Sequence, residues 1–109
     1  SIEETIELVL QKRPDLMIDG PIQADLALDP DRLSELYPFT NVKGRPNLLV
    51  FPNLSAANIS LKLIQRFSKA QIIGPIMEGF KKPVNIVTRN CDVNNIVNLT
   101  AISNVDAHG

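Results

Sequence analysis

NLLVFPNLSAANISLKLIQRFS, residues Asn47 to Ser68, decides the reading of the fold. Leu48-Leu49-Val50-Phe51 is uninterrupted apolar sequence, and Pro52-Asn53 closes it. A short apolar run bounded by turn residues predicts a strand buried on both faces, the pattern of a parallel sheet. Ser55 to Ser68 then repeats at helical spacing. Ala56, Ile59, Leu63 and Phe67 would face the core, with Asn58, Lys62, Gln65, Arg66 and Lys69 toward solvent. A strand leading straight into an amphipathic helix is one β–α unit.

The same alternation extends in both directions. On the N-terminal side, Ile2 to Gln11 places Ile2, Ile6, Val9 and Leu10 near one face and Glu3, Glu4 and Glu7 opposite. This predicts a helix whose early acidic residues suit its dipole, ended by Pro14. Leu16-Met17-Ile18 followed by Asp19-Gly20-Pro21 predicts a short buried strand and a turn. Ile22 to Leu28 carries no clear signal. Asp29-Pro30 pairs a capping residue with proline at the first helical position and predicts a helix over 31–37. Thr40 to Asn47 reads as a polar loop.

On the C-terminal side, Gln71-Ile72-Ile73 and Val84-Asn85-Ile86-Val87 are further strand candidates. Asp92 is placed to cap a last helix with Val93, Ile96, Val97 and Thr100 on one stripe. Gly20-Pro21-Ile22 recurs as Gly74-Pro75-Ile76, too short a match to establish a repeat. The expectation is an α/β fold, a mainly parallel sheet with helices on both faces.

Composition narrows the function classes. The chain has 109 residues, 44% hydrophobic with only four Phe, one Tyr and no Trp, so its core must be aliphatic. A net charge of −1 without any run of like charges gives no basic face for a nucleic-acid backbone. The single cysteine, Cys91, excludes an internal disulfide and a four-cysteine zinc site. No apolar run approaches a membrane span and no signal-peptide pattern opens the chain, which predicts a cytoplasmic protein. The start at Ser1, directly in a helical pattern without methionine, reads as an excerpt from a longer protein.

In open parallel sheets, ligands gather where strands end and helices begin. Three such places are 19–21, 51–53 and 88–92. At the third, Thr88 offers a hydroxyl, Arg89 a guanidinium fork, and the helix beginning near Asp92 its positive end, a set suited to phosphate or another oxyanion. The alternative is that Thr88 and Asp92 form only a turn and a cap, with Arg89 solvated. Cys91, beside a helix start and an arginine, has features of an activated thiol. It lacks a histidine partner, since the one histidine, His108, stands at the far end of that helix; a small structural cysteine is the competing reading. Asp19, Asp25 and Asp29 match no metal-binding spacing, and Lys62 with Arg66 reads as a solvated i, i+4 face.

Several segments, in order along the chain, resemble the C-terminal half of phosphate acetyltransferases. These are Asp19-Gly20-Pro21-Ile22-Gln23-Ala24-Asp25, Asn47 to Asn53, Ala57-Asn58-Ile59, Ile73-Gly74-Pro75-Ile76 and Lys82-Pro83-Val84-Asn85, continuing through Arg89, Cys91 and Ile96-Val97-Asn98. Within that superfamily, Glu35-Leu36-Tyr37-Pro38-Phe39, Ser55 to Ser60 and Val105-Asp106-Ala107 resemble the transacetylase-type domain at the C-terminus of bacterial NADP-dependent malic enzymes.

The resemblance carries its own expectations. It implies two α/β subdomains with the ligand cleft between them: residues 1–72 would close the second, inserted subdomain, and 73–109 would return to the first. Active phosphotransacetylases carry a Ser-Arg-Gly-Cys-Ser stretch and, shortly after it, an aspartate proposed as base on the CoA thiol. Here the stretch is Thr88-Arg89-Asn90-Cys91-Asp92 and the aspartate position holds Asn95, whose amide cannot take a proton as a carboxylate can. The expected ligand set is therefore Thr88, Arg89, Asn90 and Asn95, with no catalytic residue and no metal ligand in the chain. The resulting expectation is a regulatory, oligomerising module that binds acetyl-CoA without turnover. The upstream malic enzyme part, using NADP and Mg or Mn, would oxidatively decarboxylate malate to pyruvate, and the whole would be a homo-oligomer. The alternative is a segment of an active phosphate acetyltransferase, moving acetyl between acetyl phosphate and CoA.

Overall fold

A computed structural model describes all residues, 1–109. It contains five helices: α1, Ile2–Lys12; α2, Ala24–Ala27; α3, Pro30–Leu36; α4, Leu54–Phe67; and α5, Val93–His108. The chain divides into two compact units, Ser1–Asn58 and Ile59–Gly109, with the division inside α4.

Every helix start except that of α2, whose N-cap Gln23 makes no side-chain cap bond, is explained by a local cap. The Ser1 hydroxyl accepts the Glu4 N–H at the head of α1. Asp29 accepts the Arg32 N–H at 3.2 Å, with Pro30 as the first residue of α3, as the Asp-Pro pair predicts. The Asn53 side chain accepts from Ala56 N–H at 2.9 Å and starts α4 one residue earlier than the periodicity suggests. The unassigned stretch 22–28 contains the single turn of α2.

In the first unit, α2 and α3 pack together and bury Leu26 and Leu33, the latter only 2% exposed. The inward face expected for α1 is half right. Ile6, Val9 and Leu10 are partly covered, and Ile6 and Ile2 approach Gly20, whose position a Cβ would share at 3.5 and 3.7 Å from their terminal carbons. The Gly-Pro-Ile recurrence returns in the backbone: Gly20 and Gly74 have φ of 157° and 152°, a region glycine alone occupies readily, and each precedes a cis proline.

The expected strand segments follow a different course. The backbone over 48–51, 71–78 and 83–88 is neither helical nor bent, but no ladder pairs these segments with one another. Val50, predicted to be buried on both faces, is 83% exposed. A central parallel strand takes its burial from a neighbour on each side and helices on both faces, and these 109 residues do not supply them.

Two helix faces also differ from expectation. On α4, Ala56, Ala57 and Ser60 are the partly covered positions, while Ile59, Leu63 and Phe67 are exposed. On α5 the buried residue is Leu99, 3% exposed, flanked by partly covered Asn95, Asn98, Ile102 and Ser103; the stripe of Val93, Ile96, Val97 and Thr100 faces outward. Apolar residues line both sides of this helix, so periodicity alone does not select the packed one. No helix is long and apolar enough to cross a membrane.

Candidate functional site

The loop before α5 gathers the residues that sequence reasoning selected. Residues 88–91 form a turn in which Cys91 N–H donates to the Thr88 carbonyl at 3.1 Å. One residue later Asp92 caps α5, its Oδ1 accepting the Asn95 N–H at 2.7 Å. The turn and the cap are therefore both present. They leave Arg89 at the tip of the turn, exposed and without an ion-pair or hydrogen-bond partner in the chain. Thr88 and Asn90 are exposed beside it.

Electrostatics at this loop is mixed. Arg89 supplies a planar, permanently charged fork suited to phosphate oxygens. The Asp92 carboxylate, however, already occupies the positive end of α5 and claims the Asn95 N–H. A ligand anion would depend chiefly on Arg89 and on the remaining first-turn N–H groups.

Asn95 is partly covered, and its Oδ1 is buried with no hydrogen-bond partner. Such an orphaned acceptor costs free energy, and a carboxylate in the same place would cost more unless paired. Cys91 is a half-buried free thiol whose backbone closes the turn. His108 lies at the opposite end of α5, where its Nδ1 meets the Asn104 carbonyl at 2.7 Å; since a carbonyl only accepts, that nitrogen donates. No group of three or more His, Cys, Asp or Glu side chains is arranged to hold a metal.

A second loop singled out from the sequence, 19–21 in the first unit, is more tightly built than the sequence suggested. Asp19 accepts from Gly20 N–H at 2.8 Å and from Asn41 N–H at 3.2 Å, and so ties the 19–21 turn to residue 41. Thr40, 6% exposed, sits beside it and takes the Val42 N–H on its hydroxyl oxygen. Burial, the largest influence on this carboxyl, pushes it up. Hydrogen bonds from Thr40, Gly20 and Asn41 together outweigh burial and hold Asp19 below the usual carboxylate value. The sequence marked Asp19 as a turn residue; its partner 22 positions away left no spacing signal.

Surface recesses in the second unit, about 330 and 430 Å³, lie toward the C-terminal end of α5, around Lys81–Pro83 and Asp106. They are open, and none of Thr88, Arg89, Asn90 or Asn95 lines them. One recess is lined by the exposed cations Lys81 and Lys82, whereas the 88–92 loop sets a single exposed cation, Arg89, directly ahead of a helix start.

Comparison with known proteins gives a consistent picture. The family described as Phosphate acetyl/butaryl transferase matches residues 1–104. The chain is 46% identical over 106 residues to a phosphate acetyltransferase of Clostridium acetobutylicum, covering 97% of this chain and 32% of that protein. It is 39% identical over 111 residues to the phosphate acetyltransferase of Corynebacterium glutamicum, covering 99% of this chain and 34% of that one. Among solved structures, the EutD phosphotransacetylase from Staphylococcus aureus superposes with a TM-score of 0.88 at 33% identity, over 97% of this chain and 33% of its own. The chain thus spans about a third of the length of these relatives.

These similarities correct the finer expectation. Relatives at 37–46% identity over nearly the whole chain are phosphate acetyltransferases, and nothing points to a malic enzyme parent. The regulatory-module reading is overturned, and oxidoreductase activity and malate chemistry go with it. The expectation of NADP and a divalent metal rested on that reading alone.

Proposed function

Because the chain belongs to the phosphate acetyl/butaryl transferase family, we propose that it is a segment of a phosphate acetyltransferase, moving acetyl between acetyl phosphate and CoA. The observation that carries this reading is Arg89, exposed and unpaired on the turn immediately ahead of α5, in a chain similar to phosphate acetyltransferases from end to end.

The chemistry asks for little from this segment beyond anion binding. The CoA sulfur attacks the carbonyl carbon of acetyl phosphate, the bond from that carbon to the phosphate oxygen breaks, and inorganic phosphate leaves. Arg89 would hold the phosphate oxygens and offset the charge that gathers on them as the bond breaks. Thr88 and Asn90 flank it as neutral donors. The thiol proton must go elsewhere, because Asn95 offers an amide where the family resemblance implies a carboxylate base. The attacking species would then be thiolate already ionised in solution or formed by a base on another segment.

The remaining architecture belongs to the same proposal. The unpaired segments 48–51, 71–78 and 83–88 would enter a mainly parallel sheet completed by other parts of the longer protein, with the subdomain break near residue 72. A homo-oligomer and an acyl-CoA ligand fit this reading. The test is direct: the full-length protein that carries this chain is mixed with acetyl phosphate and CoA, and acetyl-CoA is followed. Steady release of acetyl-CoA and phosphate in equal amounts is expected. No turnover across pH 6 to 9 would overturn the assignment.

A further inference from the structure

Asn85 organises the unit Ile59–Gly109 through its side-chain amide. Its Oδ1 accepts the Met77 N–H at 2.9 Å, and its Nδ2 donates to Ser103 Oγ at 2.7 Å. Both bonds are partly buried, and they reach across 8 and 18 residues. The other side-chain hydrogen bonds of this unit reach no farther than four residues. Asn85 is therefore what ties the 71–78 segment, the 83–88 segment and α5 to one another by hydrogen bonding.

The Asn85–Ser103 bond closes a ring around the candidate site. From Asn85 the chain runs three residues to Thr88, about 10 Å in extended backbone. The turn 88–91 follows, Asp92 caps α5, and the helix returns eleven residues to Ser103, about 16 Å along its axis. Thr88, Arg89, Asn90 and Asn95 all lie within this ring. Inside it the Cys91 N–H to Thr88 carbonyl bond closes the turn itself, and the Asp92 cap holds the turn's helix end. With the ring closed, the strand-side end of the turn is also held against α5. With it open, Arg89 keeps its chemistry and loses its fixed place, and an anion must then be bound at the added cost of ordering the turn.

We propose that Asn85 and Ser103 are positioning residues for the anion-binding turn, acting through Arg89 without touching the ligand. The inference rests on the reading of that turn as a phosphate site. Ser103 is the place to test it, since its loss leaves the Asn85–Met77 bond intact.

The experiment is a double-mutant cycle on the full-length protein, with inorganic phosphate as probe and calorimetry as readout. Ser103→Ala is expected to weaken phosphate binding about fivefold, the scale of one neutral hydrogen bond, when Arg89 is present. In the Arg89→Ala background the same change should cost less than about 1.5-fold, because the residue it positions is gone. Ser103→Thr, which keeps the hydroxyl, should restore affinity. A merely structural role would lower the number of binding-competent molecules at unchanged Kd, or weaken binding equally in both backgrounds; either result overturns the positioning role alone. Unchanged affinity in Arg89→Ala by itself overturns the phosphate-site reading, and this inference falls with it. Asn85→Leu gives a second opening of the ring, and the Ser103 cycle stands without it should that variant fail to fold.

Discussion

Removing the cap of α5 is the perturbation whose size can be worked most fully from the structure. Asp92 Oδ1 accepts the Asn95 N–H at 2.7 Å, and its carboxylate stands at the positive end of a 16-residue helix. Asp92→Ala removes both contributions. Loss of a capping bond costs about 1 kcal/mol and loss of an acidic group at this position about 0.3–1 kcal/mol, together about 1.5 kcal/mol. The helix has one buried residue, Leu99, two turns in from its start, so core packing holds the first turn only weakly. The loss should therefore appear as fraying over 93–96 before it appears as global unfolding. Hydrogen exchange of the Asn95 amide in the full-length protein measures this, and roughly tenfold faster exchange is expected. Asp92→Asn keeps the acceptor and should give at most about a fivefold increase. If Asp92→Ala leaves the Asn95 amide as protected as before, the cap does not hold this helix start, and the geometry assigned to the site is wrong.

Two further outcomes follow from the other buried or tethered polar groups. Asp19 sits below its ordinary value in the folded chain, so it contributes stability above the unfolded carboxyl pKa of about 4, and that stability is lost as pH falls through the folded value. Denaturant midpoints measured from pH 6 down to pH 2.5 should fall more in the native protein than in Asp19→Asn; parallel curves would remove Asp19 from the account. Asn95→Asp places a carboxyl where the Asn95 oxygen is now buried without a partner. Burial should raise the pKa of the introduced group, and it can take the thiol proton that the amide cannot. Acetyl-transfer rates at pH 7 should rise by about tenfold or more, while the native protein shows a rate climbing with pH as thiolate forms. A native profile already flat between pH 6 and 8 would mean that another base serves the thiol.

What could be read from the sequence was the local part. Asp29-Pro30 and Asp92 announce helix starts because a cap spans only three residues, and its donor and acceptor are fixed by chain geometry. The turn at 88–92 was legible for the same reason. The choice of packed face was not: α5 carries apolar residues on more than one side, and Leu99 wins only through what lies against it. The Asp19–Asn41 and Asn85–Ser103 bonds left no periodic trace, since they join positions 22 and 18 apart. Burial of Val50 was misjudged because an apolar run is buried only by neighbours on both sides, and none pairs with 48–51 here. The malic enzyme reading failed on weak ground of another kind. Of its three segments, 35–39 and 105–107 are exposed throughout and 55–60 is covered only in part, at Ala56, Ala57 and Ser60. Exposed helix and turn surface is free to vary, so likeness there separates subfamilies poorly.

Arg89 tests the central claim most directly. The measurement is kcat/KM for acetyl phosphate, at saturating CoA, in the full-length protein and in Arg89→Ala and Arg89→Lys. An arginine that grips phosphate through charge-assisted hydrogen bonds contributes about 1.5–3 kcal/mol, so alanine should lower kcat/KM by about 10- to 100-fold. Lysine, which keeps the charge but not the fork, should fall between the two. Equal kcat/KM in all three proteins would contradict the account, because the exposed guanidinium ahead of α5 would then have no part in acetyl transfer.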